Sequence, residues 1–255
     1  FLVSSLERSG PTNQLLNIVT ELTLNTGVKF FLLTLKSELE NSMCKEFQKQ
    51  GIEIKCISEF GFSKKITFIR TLFEEEKFDV FQTCGFKPDL ISALTKIKNS
   101  VSTLRNYPFE DYMMHYGTLK GWMMAHFHYY LLANINCRIC VSESSAKLNK
   151  NKSNLDFQIV LNGVNTELFR PHNTCEEFSL SQIGLDESLI TLIYTGPLIH
   201  RKNINEMIKI VSQLDVQLIV AGDGPLLSLR NKYSEKRIKF VGSVSNVNDS
   251  LNITD

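Results

Sequence analysis

The chain has 255 residues, enough for one large or two ordinary domains. Hydrophobic residues make up 43% and charged residues 22%, an ordinary globular balance, and 28 Lys plus Arg against 27 Asp plus Glu leave a formal net charge of +1. That near-neutrality argues against a nucleic-acid binder, which carries a basic excess, and no run of 18 apolar residues offers a membrane-spanning helix.

Short apolar runs alternate with longer amphipathic segments, the signature of a parallel α/β sheet. Residues 1–4 read as the remnant of a first strand, and the native start is expected to be missing because the first residue is Phe1. A Gly-Pro turn leads into a helix over 12–25, with Leu15, Leu16, Val19 and Leu22 at helical spacing. A strand over 28–35 follows, then a helix over 41–49 capped by Asn41 or Ser42 and ended at Gly51, and a strand over 52–57. The alternation continues with a helix over 64–76, a strand over 79–82, a helix over 87–98 and a strand over 101–104. Residues 105–117, RNYPFEDYMMHYG, read as a polar, aromatic loop. A long apolar helix over 119–134, read as a core helix, precedes a strand over 138–141, a short helix over 142–148 and a strand over 157–161.

Turn formers crowd residues 162–173, which are taken as the boundary: a first domain over 1–162, a linker over 163–187 and a second domain over 188–255. The second series has strands over 189–194, 216–221 and 238–241, helices over 205–213 and 226–233, and a helix beginning at Asp249. A doubly wound domain usually has five or six strands, so three strands lead to the expectation that the chain is a fragment. The six cysteines are scattered. Cys137 and Cys140, the close pair, sit on a strand and point to opposite faces, so free buried thiols and a reducing, cytoplasmic setting are expected and a metal site is not. His126 and His128 lie two apart on a helix and face different sides.

Three stretches could carry chemistry. In open α/β sheets ligands bind beyond the carboxyl ends of the strands. Gly10, between the first strand and the first helix, could bring backbone and a helix N-terminus to a phosphate, or could simply make a turn with Pro11. His200, Arg201 and Lys202 follow the strand LITLIYTG and could neutralise a diphosphate leaving group, or form a solvated charge cluster. Arg105, Asn106, Asp111 and their neighbours mix donors and acceptors suited to a hydroxyl-rich ligand, as would a solvated loop. No nucleophile elbow, HExxH or P-loop pattern is present.

Four strings in order go further. LNGVNTELFRP (161–171) resembles the NGVD-x-x-x-F-x-P string of the retaining glycosyltransferase family 4, which has the GT-B fold of two Rossmann-like domains. IYTGPLIHRKNI resembles that family's GRL-x-x-x-KG string, LIVAGDGP its GDGP string, and IKFVGSVSN its V-x-F-x-G-x-V string. More loosely, SSLERSGPTNQLLNIVTEL resembles the family's glycine loop and helix, and STLRNYPFEDYMMHYGTLKG a version found in enzymes of surface-polysaccharide assembly.

The resemblance implies transfer of a sugar from a nucleoside diphosphate sugar to a saccharide or lipid-linked acceptor, with retention, without cofactor or obligatory metal and without nucleic acid. The enzyme would be cytoplasmic, with possible peripheral contact at the inner face of the membrane. Reaction would occur in the cleft between the two domains. By carry-over, Arg105 stands where many members place a His facing the transferred sugar. Gly10, Arg201 and Lys202 would meet the donor phosphates, Gly222 and Gly224 would shape the turn near the nucleotide, and Asn106 and Asp111 would serve the acceptor side. Departures are Pro197 for the Arg of GRL, Asn203 for the KG glycine, and the family's acidic pair, expected beyond Asp255. The 255-residue chain is therefore expected to be inactive as it stands. A non-catalytic binding or assembly protein on the same scaffold is the alternative, and a GT-B epimerase or phosphorylase shares the fold but not these strings.

Overall fold

The computed structural model describes residues 1–40, 42–171, 179–233, 237–244 and 246–254. Asn41, Asn173 and Cys175 therefore lie outside the described residues. The chain divides into two compact units, Phe1–Gly163 and Val164–Asp255.

In the first unit β1 (Leu2–Val3), α1 (Gly10–Thr26), β2 (Phe31–Thr34), α2 (Cys44–Lys49), β3 (Glu53–Cys56) and α3 (Phe62–Glu75) build one half. The other half is β4 (Phe81–Thr83), α4 (Phe86–Thr95), β5 (Ser100–Leu104), α5 (Pro108–Tyr116), α6 (Thr118–Leu132), β6 (Cys137–Cys140), α7 (Glu143–Ser153) and β7 (Gln158–Ile159). The seven strands are parallel, in the order β3-β2-β1-β4-β5-β6-β7. Successive strand residues point to opposite faces, and β2 shows it: Leu32 packs with Leu15, Val19 and Phe47, while Leu33 packs with Ile57, Ile69 and Phe81. Both faces are thus covered, as a parallel sheet requires.

Local chemistry sets the helix ends. Ser9 caps α1 by accepting from the Thr12 backbone N–H at 3.4 Å, and Pro11 sits in the first turn. The helix expected from residue 41 starts at Cys44 instead. Met43 is buried and its N–H donates to the Leu6 carbonyl at 2.8 Å, which holds the chain off the helix until the next residue.

Three expectations are corrected. Most of the loop expected over 105–117 is helix α5. Pro108 occupies its first turn, Glu110 and Asp111 favour its N-terminus, and Gly117 ends it, so the helix signals are present within an aromatic, polar string. The long helix α6 is not a core helix throughout. Gly121, Ala125, His128, Tyr129 and Leu132 are buried, but Leu119, Trp122, Met123, Phe127 and Tyr130 face outward. Likewise the cysteines other than Cys175 are free thiols, but only Cys140 among them is buried and Cys56 is exposed.

The second unit holds β8 (Thr191–Thr195), a 3₁₀ turn (His200–Lys202), α8 (Ile204–Val211), β9 (Gln217–Ala221), α9 (Leu229–Lys232), β10 (Ile238–Gly242) and α10 (Val247–Asn252). Its three strands are parallel, in the order β10-β9-β8. Ile204, Ile208 and Val211, on one face of α8, pack on Leu218 and Val220 of the fully buried β9.

Candidate active site

The strand order of the first unit reverses between β1 and β4, a topological switch point, where open α/β sheets bind ligands beyond the strand ends. A cavity of about 220 Å³ lies there. Ser4 and Ser5 after β1, Ser9 and Thr12 at the start of α1, and Thr83 and Cys84 at the end of β4 form its polar wall. Arg105, just past β5, and Asn162, beyond β7, close one side. Leu6, Leu15, Ile18, Ile139 and Val160 make the remainder largely apolar.

Arg105 is the charged side chain of this lining. Its Nη1 donates to Asn162 Oδ1 at 3.3 Å, while its Nε is buried with no partner among the described residues. A buried guanidinium N–H without an acceptor is costly, so the geometry suits an incoming anionic or oxygen-rich group. Cys84 lies beside it: burial pushes the thiol above its ordinary range, and the Arg105 charge works in the opposite direction. Gln82 Nε2 donates to Thr103 Oγ1 at 2.9 Å, tying β4 to β5 at the floor.

Behind the crevice runs a buried polar chain. Thr83 Oγ1 donates to Asp89 Oδ1, His128 Nε2 meets Asp89 Oδ2 at 2.9 Å, and Tyr112 Oη lies 2.8 Å from His128 Nδ1. Asp89 and His128 are both buried. The chain joins β4, α4, α5 and α6, so the strand end carrying Cys84 is braced by three helices.

The expected site residues separate into groups. Arg105 lines the crevice; Gly10, the first residue of α1, does not, although its neighbours Ser9 and Pro11 do. A Cβ on Gly10 would meet nothing within 4 Å, so neither packing nor backbone demands glycine there. Asn106 is exposed and Asp111 is half-buried on α5, and neither contributes to the lining. The sequence singles out neither Cys84 nor Ser4, although Cys84 directly follows a strand, the same kind of position as that of Arg105.

In the second unit His200, Arg201 and Lys202 form an exposed 3₁₀ turn, with no ion pair to either Arg201 or Lys202 among the described residues. Asn203 follows with φ 51°, ψ 29°, so asparagine takes the left-handed conformation at the position of the resembling family's glycine. Gly222 and Gly224 are required by the fold itself. A Cβ on Gly222 would lie 1.9 Å from the Gly196 carbonyl oxygen, and one on Gly224 2.7 Å from that of Leu198. Their φ values of 154° and 151° are unfavourable for other residues. The 222–225 turn thereby packs backbone to backbone on the 196–198 loop, with Leu198 N–H donating to the Asp223 carbonyl at 2.8 Å.

No family model matches the chain. It is 27% identical over 126 residues to the O-antigen biosynthesis glycosyltransferase WclY of Escherichia coli, a match covering 48% of this chain and 32% of that protein. It is 27% identical over 113 residues to the N-acetyl-alpha-D-glucosaminyl L-malate synthase of Bacillus anthracis, covering 41% of this chain and 29% of that one. The matched stretch thus spans about a third of each curated relative. Among solved structures it resembles Anabaena Alr3699/HepE in complex with UDP, with a TM-score of 0.78 at 14% identity, over 100% of this chain and 71% of that chain. It also resembles the lipopolysaccharide outer core galactosyltransferase WaaB, with a TM-score of 0.59 at 13% identity, over 96% of this chain and 68% of that chain. The chain therefore has the α/β architecture of the GT-B glycosyltransferases, and curated glycosyltransferases stand among its sequence relatives.

Proposed function

We propose that the protein transfers a sugar from a nucleoside diphosphate sugar to a saccharide or lipid-linked acceptor. The observation that carries this reading is Arg105: a guanidinium beyond a strand end, in a switch-point crevice, with its Nε unpartnered. In the reaction the bond from the sugar C1 to the diphosphate oxygen breaks and a bond from C1 to an acceptor oxygen forms. The acceptor proton leaves with the diphosphate, and the anomeric configuration is retained. Negative charge grows on the departing diphosphate, and preorganised cations stabilise it. Arg201 and Lys202 would supply that charge on the donor side. Arg105 would hold the transferred sugar, and the mixed polar and apolar crevice would take the acceptor end. The residues assigned to these roles need no metal.

Support comes from the ordered strings of residues 161–246, from the fold, and from the relatives, one of which is named for O-antigen biosynthesis. The HepE structures in complex with UDP and with UDP-glucose make UDP the first nucleotide to try. Isothermal titration of the protein with UDP, beside the Arg201→Ala/Lys202→Ala double variant, tests the reading. At least tenfold weaker binding is expected when two phosphate-contacting cations go, since charge-assisted hydrogen bonds contribute roughly 1.5–3 kcal/mol each. Equal affinities would remove both cations from the donor site. Pro197, in place of the resembling family's phosphate-binding Arg, favours a second reading as a non-catalytic binding protein; binding of UDP-sugar by the full-length protein with no transfer to any acceptor would support it.

A further inference from the structure

The buried polar chain behind the crevice stands where apolar packing would suffice. Asp89 is 0% exposed, Thr83 1% and His128 3%. Thr83 Oγ1 donates to Asp89 Oδ1, His128 Nε2 stands 2.9 Å from Asp89 Oδ2, and Tyr112 Oη stands 2.8 Å from His128 Nδ1. Exchanging a buried polar set for apolar groups of similar volume is often neutral or stabilising, so cohesion between α4, α5 and α6 does not account for it. What such a set provides is one defined arrangement, because each buried polar group is satisfied only when its partner is in place.

The chain reaches the crevice at Thr83. Tyr112 lies on α5, His128 on α6 and Asp89 in the first turn of α4, while Thr83 closes β4 and belongs to the crevice wall. Thr83 Oγ1 also lies 3.2 Å from the Val101 carbonyl oxygen of β5, and Thr83 pairs with Ser102 in the parallel ladder. Cys84 directly follows β4 and Arg105 directly follows β5. The two strand ends that bear them are thus tied to each other and to three helices at a single hydroxyl. The charges follow the same line. Two of them act on the Cys84 thiol: Arg105 draws its pKa down and Asp89 pushes it up. Neither α1 nor β6 brings a titratable side chain to the lining.

We infer that Asp89, held by His128 and Tyr112, is a positioning residue of the crevice: through Thr83 it fixes the strand ends that present Cys84 and Arg105. Its effect on turnover rests on the transferase reading; its effect on Cys84 does not. Arg105 sits past the end of its strand, where the ladder no longer holds it, so its placement depends on the hydrogen bonds behind it. A misplacement of about 1 Å at a reacting centre can lower a rate roughly a hundredfold.

Four variants of the full-length protein test the inference, with two readouts: the pH profile of Cys84 alkylation by iodoacetamide, and kcat and KM with UDP-sugar. Asp89→Asn keeps the shape and removes the charge. It should speed Cys84 alkylation at pH 8 roughly threefold or more, since the charge that raises the thiol pKa has gone. Thr83→Val keeps the volume and cuts the link to Asp89, and it keeps the test open if Asp89→Asn does not fold. It should speed alkylation by loosening the strand end, and lower kcat roughly tenfold or more. UDP affinity should not change, because Arg201 and Lys202 lie in the other unit. Thr83→Ser keeps the hydroxyl and should retain most of the wild-type behaviour, and Tyr112→Phe should fall between the two. A wild-type alkylation profile in both Asp89→Asn and Thr83→Val would overturn the inference. So would equal losses in Thr83→Ser and Thr83→Val, which would assign the effect to packing of the Thr83 methyl. Alkylation shifted as expected in a protein that transfers no sugar would support the positioning role and remove the transferase reading.

Discussion

Arg105 Nη1 donates to Asn162 Oδ1 across 57 residues of chain, joining the end of β5 to the turn that closes the first unit. Gln14 of α1 holds the next residue, its Nε2 donating to the Gly163 carbonyl at 2.8 Å. The Asn162-Gly163 pair of the NGV string is thus anchored to both halves of the sheet, and Arg105 is oriented by it.

Replacing Arg105 by Lys keeps the charge and loses the planar fork. Transfer measured with UDP-sugar on the full-length protein is expected to fall by roughly a hundredfold or more, as for loss of one preorganised charge donor. Thermal stability should move little, because the bond to Asn162 is exposed and its contribution is about 1 kcal/mol at most. Unchanged turnover would remove Arg105 from the chemistry.

Two glycines should behave oppositely. Gly10→Ala is expected to leave stability unchanged or raise it by up to about 1 kcal/mol, since the site is open and helical. A loss of UDP or acceptor binding in this variant would show that backbone approach at residue 10 is used. Gly222→Ala should cost more than about 2 kcal/mol, combining the steric contact with Gly196 and a strained φ. Denaturant titration compares them, and equal midpoints would contradict the geometry.

The Tyr112–His128–Asp89 chain makes a pH prediction. Burial holds the Tyr112 hydroxyl well above the ordinary value near 10. Above that ordinary value the unfolded chain releases this proton while the folded one keeps it, so the folded state binds more protons and stability falls as pH rises. Its contribution is fully present below about pH 10. Tyr112→Phe should be destabilised by about 1 kcal/mol at neutral pH and show a shallower alkaline decline. Parallel decline in both proteins would contradict the burial of this hydroxyl. His128→Leu leaves the buried Asp89 Oδ2 without its 2.9 Å partner and should cost roughly 1–3 kcal/mol.

Cys84 offers a chemical probe of the crevice. With its thiol held above the ordinary range by burial, alkylation by iodoacetamide at neutral pH should be slow and should accelerate with pH. Arg105→Ala removes the opposing positive charge, so the acceleration should shift to still higher pH. Mass spectrometry of the tryptic peptide carrying Cys84 reads both rates; an unshifted profile would separate the two side chains.

Much of the fold was legible. Alternating apolar runs located the ten strands of the described residues to within a few positions, because a strand in a parallel sheet is a short, buried, locally recognisable run. The GDGP string likewise announced a tight turn, and Gly222 and Gly224 turned out to be obligatory there by steric contact. The aromatic string of α5 concealed its helix, since Pro108, the acidic first turn and Gly117 also suit a loop. Asn106 and Asp111 were grouped with Arg105 by proximity in sequence. The helix carries Asp111 away from the crevice, and Asn106 points to solvent.

The amino-acid sequence by itself determined the α/β class, and it carries the ordered strings from which sugar transfer is proposed, because both rest on local periodicity and short-range turn chemistry. Only the tertiary structure decided that Arg105 meets Cys84 and Asn162, since those residues are brought together by strand order and not by spacing. It alone decided which apolar face of α6 is covered. A helix that is hydrophobic all round carries no asymmetry along its sequence, and the packing of α4 and α5 against one side leaves the other to solvent.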